Sequence, residues 1–175
     1  MSCCSPRYYV NENGFLQSCP KRSRKSFCSI VTPSFLYASN ELAVLTSTDT
    51  VTPVLIPWDE ETIRTRGFII SPDFNQVASE NSGIYNASYN LTLSSSITGV
   101  VTARIAVNGV PVAGTERTVT LVANTPQNVS VNNLPITLFS GQIVSLQLVT
   151  STAASTVTVT DATFNLNRIA NLGGR

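Results

Sequence analysis

The stretch from Gly83 to Val112, GIYNASYNLTLSSSITGVVTARIAVNGVPV, constrains the fold more than any other part of the chain. Tyr85, Ala87, Tyr89, Leu91 and Leu93 alternate with Asn86, Ser88, Asn90 and Thr92. Val101, Ala103, Ile105 and Val107 then alternate with Thr102, Arg104 and Ala106. Successive side chains of a strand point to opposite faces, so each segment has one face for a core and one for solvent or a partner. Asn108-Gly109 follows at once, a dipeptide suited to the positive φ angles of a tight hairpin. The stretch therefore reads as two long strands, a turn and the start of a third.

The rest of the chain from Pro33 onward follows the same rule. Candidate strands are Phe35–Ser39, Leu42–Thr46, Val54–Trp58, Gly67–Ser71, Gln76–Val77, Ile84–Leu93, Val100–Val107, Thr118–Ala123, Asn128–Val131, Ile143–Val149 and Thr156–Asn165. Turn residues separate them at Asn81-Ser82-Gly83, Ser96–Gly99, Asn124–Gln127 and Ser140-Gly141. In the last strand Val157 and Val159 share one phase, while Phe164 and Leu166 take the other. One extra residue near Asp161, a β-bulge, reconciles them. A hydrophobic fraction of 42% supplies a core, and the rest is rich in Thr, Ser and Asn with little helical stock. Many short strands without helices must cover each other, which gives a sandwich or a barrel. The expected fold is all-β: a jelly-roll β-sandwich of about eight to ten strands over residues 35–170, with a tail at 171–175.

Residues 1–34 are different. They lack sustained periodicity, hold Pro6, Pro20 and Pro33, and carry all four cysteines: Cys3, Cys4, Cys19 and Cys28. They also hold Arg7, Lys21, Arg22, Arg24 and Lys25 against Glu12 alone, whereas the remainder has six arginines against nine acids. The segment reads as an extended basic arm, with one short strand near Phe27-Val31, either solvated or docked on the mildly acidic body of a neighbour. One short basic cluster, with only Phe27 beside it, is poor equipment for nucleic acid, and none is expected as a partner. No apolar run approaches the roughly 20 residues of a membrane span, and no membrane partner is expected. The polar start, Met1-Ser2-Cys3-Cys4-Ser5, is not a classical secretion signal.

Little reactive chemistry is present. The sequence has no histidine, which removes the commonest general base and zinc ligand. Asp59-Glu60-Glu61 is the one acidic cluster, and a solvated loop suits it better than a calcium site. No catalytic residue, cofactor or metal is expected, and no enzyme. The cysteine spacings of 1, 15 and 9 do not fit paired zinc ligands. Lipidation of Cys3-Cys4 is a lesser alternative. Disulfides to Cys19 or Cys28, within the chain or between copies, are the leading reading, and they require an oxidising setting. Asn86-Ala87-Ser88, Asn90-Leu91-Thr92 and Asn128-Val129-Ser130 fit the N-glycosylation pattern, which chance explains in a chain this rich in Asn, Ser and Thr.

Several motifs resemble the jelly roll shared by tumour necrosis factor and the globular heads of complement-type collagenous proteins. Val54–Trp58 is similar to that family's first strand, and Gly67-Phe68-Ile69-Ile70 to the short strand that follows. Ser82-Gly83-Ile84-Tyr85 with Tyr89 resembles its G-x-Y segment, and Val107-Asn108-Gly109 its vNG turn. Leu138-Phe139-Ser140-Gly141-Gln142-Ile143-Val144 resembles L-x-x-G-D-x-V, with Gln142 in place of Asp. Phe35-Leu36-Tyr37-Ala38-Ser39-Asn40 and Ile105-Ala106-Val107-Asn108-Gly109-Val110-Pro111-Val112-Ala113-Gly114-Thr115 are similar to the C-terminal domains of BclA-type exosporium glycoproteins of spore-forming bacilli. The likeness covers residues 35–170, but this chain lacks the Gly-x-y stalk of those proteins. A short Cys-bearing arm before a jelly roll is similar to the plan of endospore appendage (Ena-type) fibre subunits.

The resemblance implies a homotrimeric subunit of a spore-surface fibre or appendage, extracellular, joined to copies of itself through N-terminal connectors and intermolecular disulfides at Cys3, Cys4, Cys19 and Cys28. Spore-surface anchor and tip proteins are implied as further partners. Candidate residues for the trimer interface are Tyr85, Tyr89 and Phe164, with the subunit's own core as the alternative for the two tyrosines. The competing function is a trimeric receptor- or glycan-binding head on a spore, phage or virus surface.

Overall fold

A computed structural model describes residues 33–47, 49–59, 67–151 and 155–172, together with the backbone of three short strands nearer the N-terminus and in the loop before residue 67. The chain divides into two units, Met1–Thr32 and Pro33–Arg175. In the first, β1 (Tyr9–Val10) pairs antiparallel with β2 (Leu16–Gln17), a ladder the sequence did not announce. The expected strand at Phe27–Val31 and all four cysteines lie outside the described residues.

The second unit is all-β among the described residues. Its strands are β3 (Phe35–Asn40), β4 (Ala43–Thr46), β5 (Val54–Leu55), β6 (Ile63–Arg64), β7 (Phe68–Ile70), β8 (Val77–Ser79), β9 (Gly83–Ser95), β10 (Gly99–Val107), β11 (Val110–Pro111), β12 (Arg117–Leu121), β13 (Gln127–Leu138), β14 (Ile143–Thr150) and β15 (Thr156–Asn171). They form two antiparallel sheets. One runs β13-β9-β15-β3-β6, with β4 also on β15. The other runs β11-β10-β14-β8-β7, with β12 also on β10 and β5 on β14. From β8 onward the long strands change sheet at β8 to β9, β9 to β10, β12 to β13, β13 to β14 and β14 to β15. Neighbours in space are thus distant in sequence, as in a jelly-roll sandwich.

The alternation read from the sequence sets the core. Tyr85, Ala87, Tyr89, Leu91 and Leu93 are buried from one sheet, and Val101, Ala103 and Ile105 from the other. Leu146 and Leu148 of β14 and Ala162, Phe164 and Leu166 of β15 complete the layer. The bulge expected near Asp161 is present: the β15–β9 register shifts between Val159 and Asp161, and both apolar phases face inward. Asn108 and Gly109 have φ of 50° and 80°, the left-handed conformations their turn requires.

Two expected strands are corrected. The strand at Val54–Trp58 pairs only over Val54–Leu55, because Ile56 and Trp58 turn inward. Ile56 N–H donates to Leu146 O at 3.1 Å, and Trp58 N–H to Phe74 O at 2.7 Å. The strand at Asn128–Val131 continues to Leu138 through a second bulge, where Asn132 and Asn133 oppose Ser88 and Asn133 has φ of 51°. That extra residue moves Ile136 and Leu138 into phase with Val129 and Val131.

Candidate assembly surface

The inward positions are spoken for, and this decides the fate of the expected interface residues. Tyr85 and Phe164 are 0% exposed and Tyr89 1%, so none reaches the surface of its own subunit. Their placement at a threefold interface is corrected to the core, the alternative left open for the tyrosines. The cause is strand phase, supported by internal polar partners. Tyr85 Oη donates to Asn81 O at 2.7 Å and lies 3.1 Å from Ser79 Oγ. Tyr89 Oη lies 2.7 Å from Thr115 O and 3.2 Å from Ala103 O. Burial pushes the Tyr89 hydroxyl up to about 12, against a smaller opposing effect of the Arg117 charge. Phe164 stacks on Trp58, ring centroids 5.5 Å apart and 14° from parallel.

The outward residues of the same strands make the candidate site. Across the β13-β9-β15-β3 sheet, register aligns Pro135, Asn86, Asn167 and Phe35 in one row. The next outward row holds Ser88, Asn165 and Tyr37, with Asn133 N–H donating to Ser88 Oγ at 2.9 Å. A third holds Ser130, Asn90, Thr163 and Ser39. These rows contain amides, hydroxyls, two aromatics and a proline, and no charge. Asp161, beyond the third row, and Arg168, whose guanidinium donates to Ser82 O at the end of the sheet, mark the limits of the neutral area. The three Asn-x-Ser/Thr asparagines, Asn86, Asn90 and Asn128, all lie on this face, and Asn128 Oδ1 accepts from Thr92 Oγ1 at 2.7 Å.

Such a surface is chemically suited to a second copy of itself. Amides and hydroxyls both donate and accept, so symmetry-related copies can satisfy each other. Without charges, closure carries little of the desolvation penalty of buried ions. Depletion of charge with aromatic anchors also distinguishes interface cores from ordinary surface. The sequence carried this signal in Asn86, Ser88, Asn90 and Asn165, the polar half of the alternation, while attention to interface aromatics pointed to the inward half.

Other chemistry has little support in the geometry. Among the described residues no group of three or more His, Cys, Asp or Glu is placed to hold a metal ion. Asp59 spends its backbone N–H on Ser39 O at 2.7 Å, while Glu60 and Glu61 lie outside the described residues. A concavity lined by Ser95, Ile97, Val100, Leu121, Thr150 and Ser155 has a volume of about 10 Å³, room for about one water and not for a substrate.

No protein-family model matches the chain, and no curated protein matches it. Solved structures do resemble it. An Eiger TNF from S. frugiperda is 12% identical over 81% of this chain and 94% of that one, with a TM-score of 0.47. Murine APRIL is 15% identical over 79% and 100%, with a TM-score of 0.48. The globular domain of a zebrafish complement 1qA protein is 12% identical over 79% and 98%, with a TM-score of 0.49. These are likenesses of architecture. The assignment of a jelly roll rests on the strand order above.

Proposed function

We propose that this chain is a self-assembling structural subunit of a bacterial endospore surface fibre or appendage. Its jelly rolls pack as a homotrimer through the neutral outer face of the β13-β9-β15-β3 sheet. Residues 1–34 act as the connector to the next copy, and Cys3, Cys4, Cys19 and Cys28 lock that contact as intermolecular disulfides. Strand addition at a sheet edge supplies backbone hydrogen bonds to the connector. Anchor and tip proteins on the spore surface complete the assembly, and no substrate or cofactor is involved.

The observation that carries the reading is the charge-free face itself, on strands long enough to support a large contact: β9 has 13 residues and β15 has 16. The motifs similar to exosporium and appendage proteins, and the cysteines gathered in one leader, support the fibre and its location. Deleting residues 1–32, which leaves Pro33 and the buried Ser34 in the body, tests it. The shortened protein forms trimers by light scattering but no fibres.

The same face favours one competing reading. Phe35 and Tyr37 beside asparagine amides suit the rings and hydroxyls of a glycan, as in a trimeric binding head. In that case the shortened protein retains saturable glycan binding, and fibres are absent from the intact protein as well.

A further inference from the structure

The sandwich has two ends, and each carries exposed apolar side chains. At the first end, β9 finishes at Ser95, β12 at Leu121 and β14 at Thr150. Here Val51, Ile97 and Val122 are 80%, 45% and 51% exposed, and Val100 beside them 37%. Hydrogen bonds hold the loops together: Ala123 N–H donates to the Thr98 side-chain Oγ1 at 3.3 Å, and Ser47 N–H to Ser155 O at 3.0 Å. Asp49 is the one charge in loops 46–53, 96–98, 122–126 and 151–155. Its carboxylate accepts from Val51 N–H and Thr52 N–H of its own loop.

The second end lies where β10 finishes and β14 begins. Ile69 and Ile143 flank Ala78 in one cross-strand row, and they are 54% and 40% exposed. Asn108 fastens the hairpin tip to this row, its Oδ1 accepting from Ile143 N–H at 2.8 Å. At the tip Val110 is 67% exposed, and Phe139, in the turn before Ile143, 55%.

We infer that these two ends are the halves of a head-to-tail contact, the first end of one copy seated on the second end of the next. This rests on the self-assembly reading above and specifies its direction. Two apolar surfaces at opposite ends of one axis form a heterologous contact, which does not close and so propagates as a filament. The connection to the preceding chain favours a copy at the second end. Pro33 and Ser34 enter the body there: Arg168 N–H donates to Ser34 O at 2.9 Å, and Ser34 Oγ accepts from Asn81. The 32 residues before Pro33, with the β1–β2 hairpin kept, span up to about 75 Å. Strand β9, with 13 residues, rises only about 43 Å. A copy stacked on the second end thus lies within reach of Cys3 and Cys4, while Cys19 and Cys28, 14 and 5 residues before Pro33, reach its nearer part. In a trimer each end is presented three times, which multiplies the apolar area.

Charge complementation in the intact, oxidised protein tests the contact. Ile97→Glu at the first end and Ile143→Lys at the second are each expected to reduce fibre mass at least tenfold by sedimentation, with trimers unchanged. The double variant, which places opposite charges across the contact, is expected to restore fibres, more so at low salt. Val122→Glu with Val110→Lys is a second pair at exposed positions, independent of any folding defect in the first. Single variants that polymerise like wild type, or double variants no better than singles, overturn the inference while leaving self-assembly intact. A wild type that forms no fibres overturns both.

Discussion

Asn81 Nδ2 donates to Ser34 Oγ across 3.2 Å, joining the turn before β9 to the residue before β3. The pair is closed over by Gly67, which has φ of 110°. A Cβ on Gly67 would collide with Ser34 Oγ and stand 2.6 Å from Asn81 Nδ2. Gly67→Ala therefore meets both a steric clash and a backbone conformation that L side chains avoid. The expected loss is about 2–3 kcal/mol of subunit stability, measured by denaturant unfolding. Asn81→Ala, which removes only the hydrogen bond, is expected to cost about 1 kcal/mol.

Tyr89 gives the subunit an alkaline limit. Its folded pKa of about 12 lies above the ordinary value of 10.0. Stabilisation is whole below the ordinary value, because folded and unfolded chains are then both protonated. As pH rises from about 10 toward 12, the unfolded chain loses its proton first, and stability falls. Tyr89→Phe removes this part of the alkaline slope. At neutral pH the same variant is expected to lose about 1–2 kcal/mol, since the carbonyls of Thr115 and Ala103 lose a buried donor. Thermal unfolding across pH 8 to 11.5 reads both effects.

Core and assembly face separate cleanly by mutation. Phe164→Ala removes the Trp58 stack and is expected to destabilise the subunit by about 3–5 kcal/mol. Trp58 is the sole tryptophan and reports the loss by fluorescence.

Asn165→Asp does the opposite. It places a charge on the neutral outer face through which the proposed trimer packs, where like charges on the copies would repel. Subunit stability is expected to change by less than about 0.5 kcal/mol. The trimer is expected to dissociate at least tenfold more readily by analytical ultracentrifugation, with the effect easing at high salt.

Deletion of Thr160 tests the phase argument. It removes the extra residue between Val159 and Asp161 and brings Val157, Val159, Phe164 and Leu166 into one parity. The variant is expected to fold. Deleting Asn165 instead leaves the bulge and turns Leu166 outward, so loss of cooperative unfolding is expected.

The sheets were legible because phase is a local property. Tyr85 to Leu93 and Val101 to Ile105 declare their buried faces without help from any distant residue. Strand ends and short pairings were less legible, since Val54–Leu55 stops where Trp58 is drawn to Phe164, more than 100 residues away. The second bulge was hidden because asparagine and proline are poor strand formers by type, yet the ladder resumes after Asn132 and Asn133 with Leu134 opposite Ala87 and Pro135 opposite Asn86. The placement of Tyr85, Tyr89 and Phe164 was the least legible. An aromatic in a strand suits a core and an interface equally by type, and only its parity relative to its neighbours assigns it.

Electron microscopy of the purified intact protein, with and without reductant, tests self-assembly most directly. The account predicts extended fibres under oxidising conditions, resistant to dilution, and shorter or fewer fibres with trimers when the cysteines are reduced. Monomers alone in both conditions would contradict it.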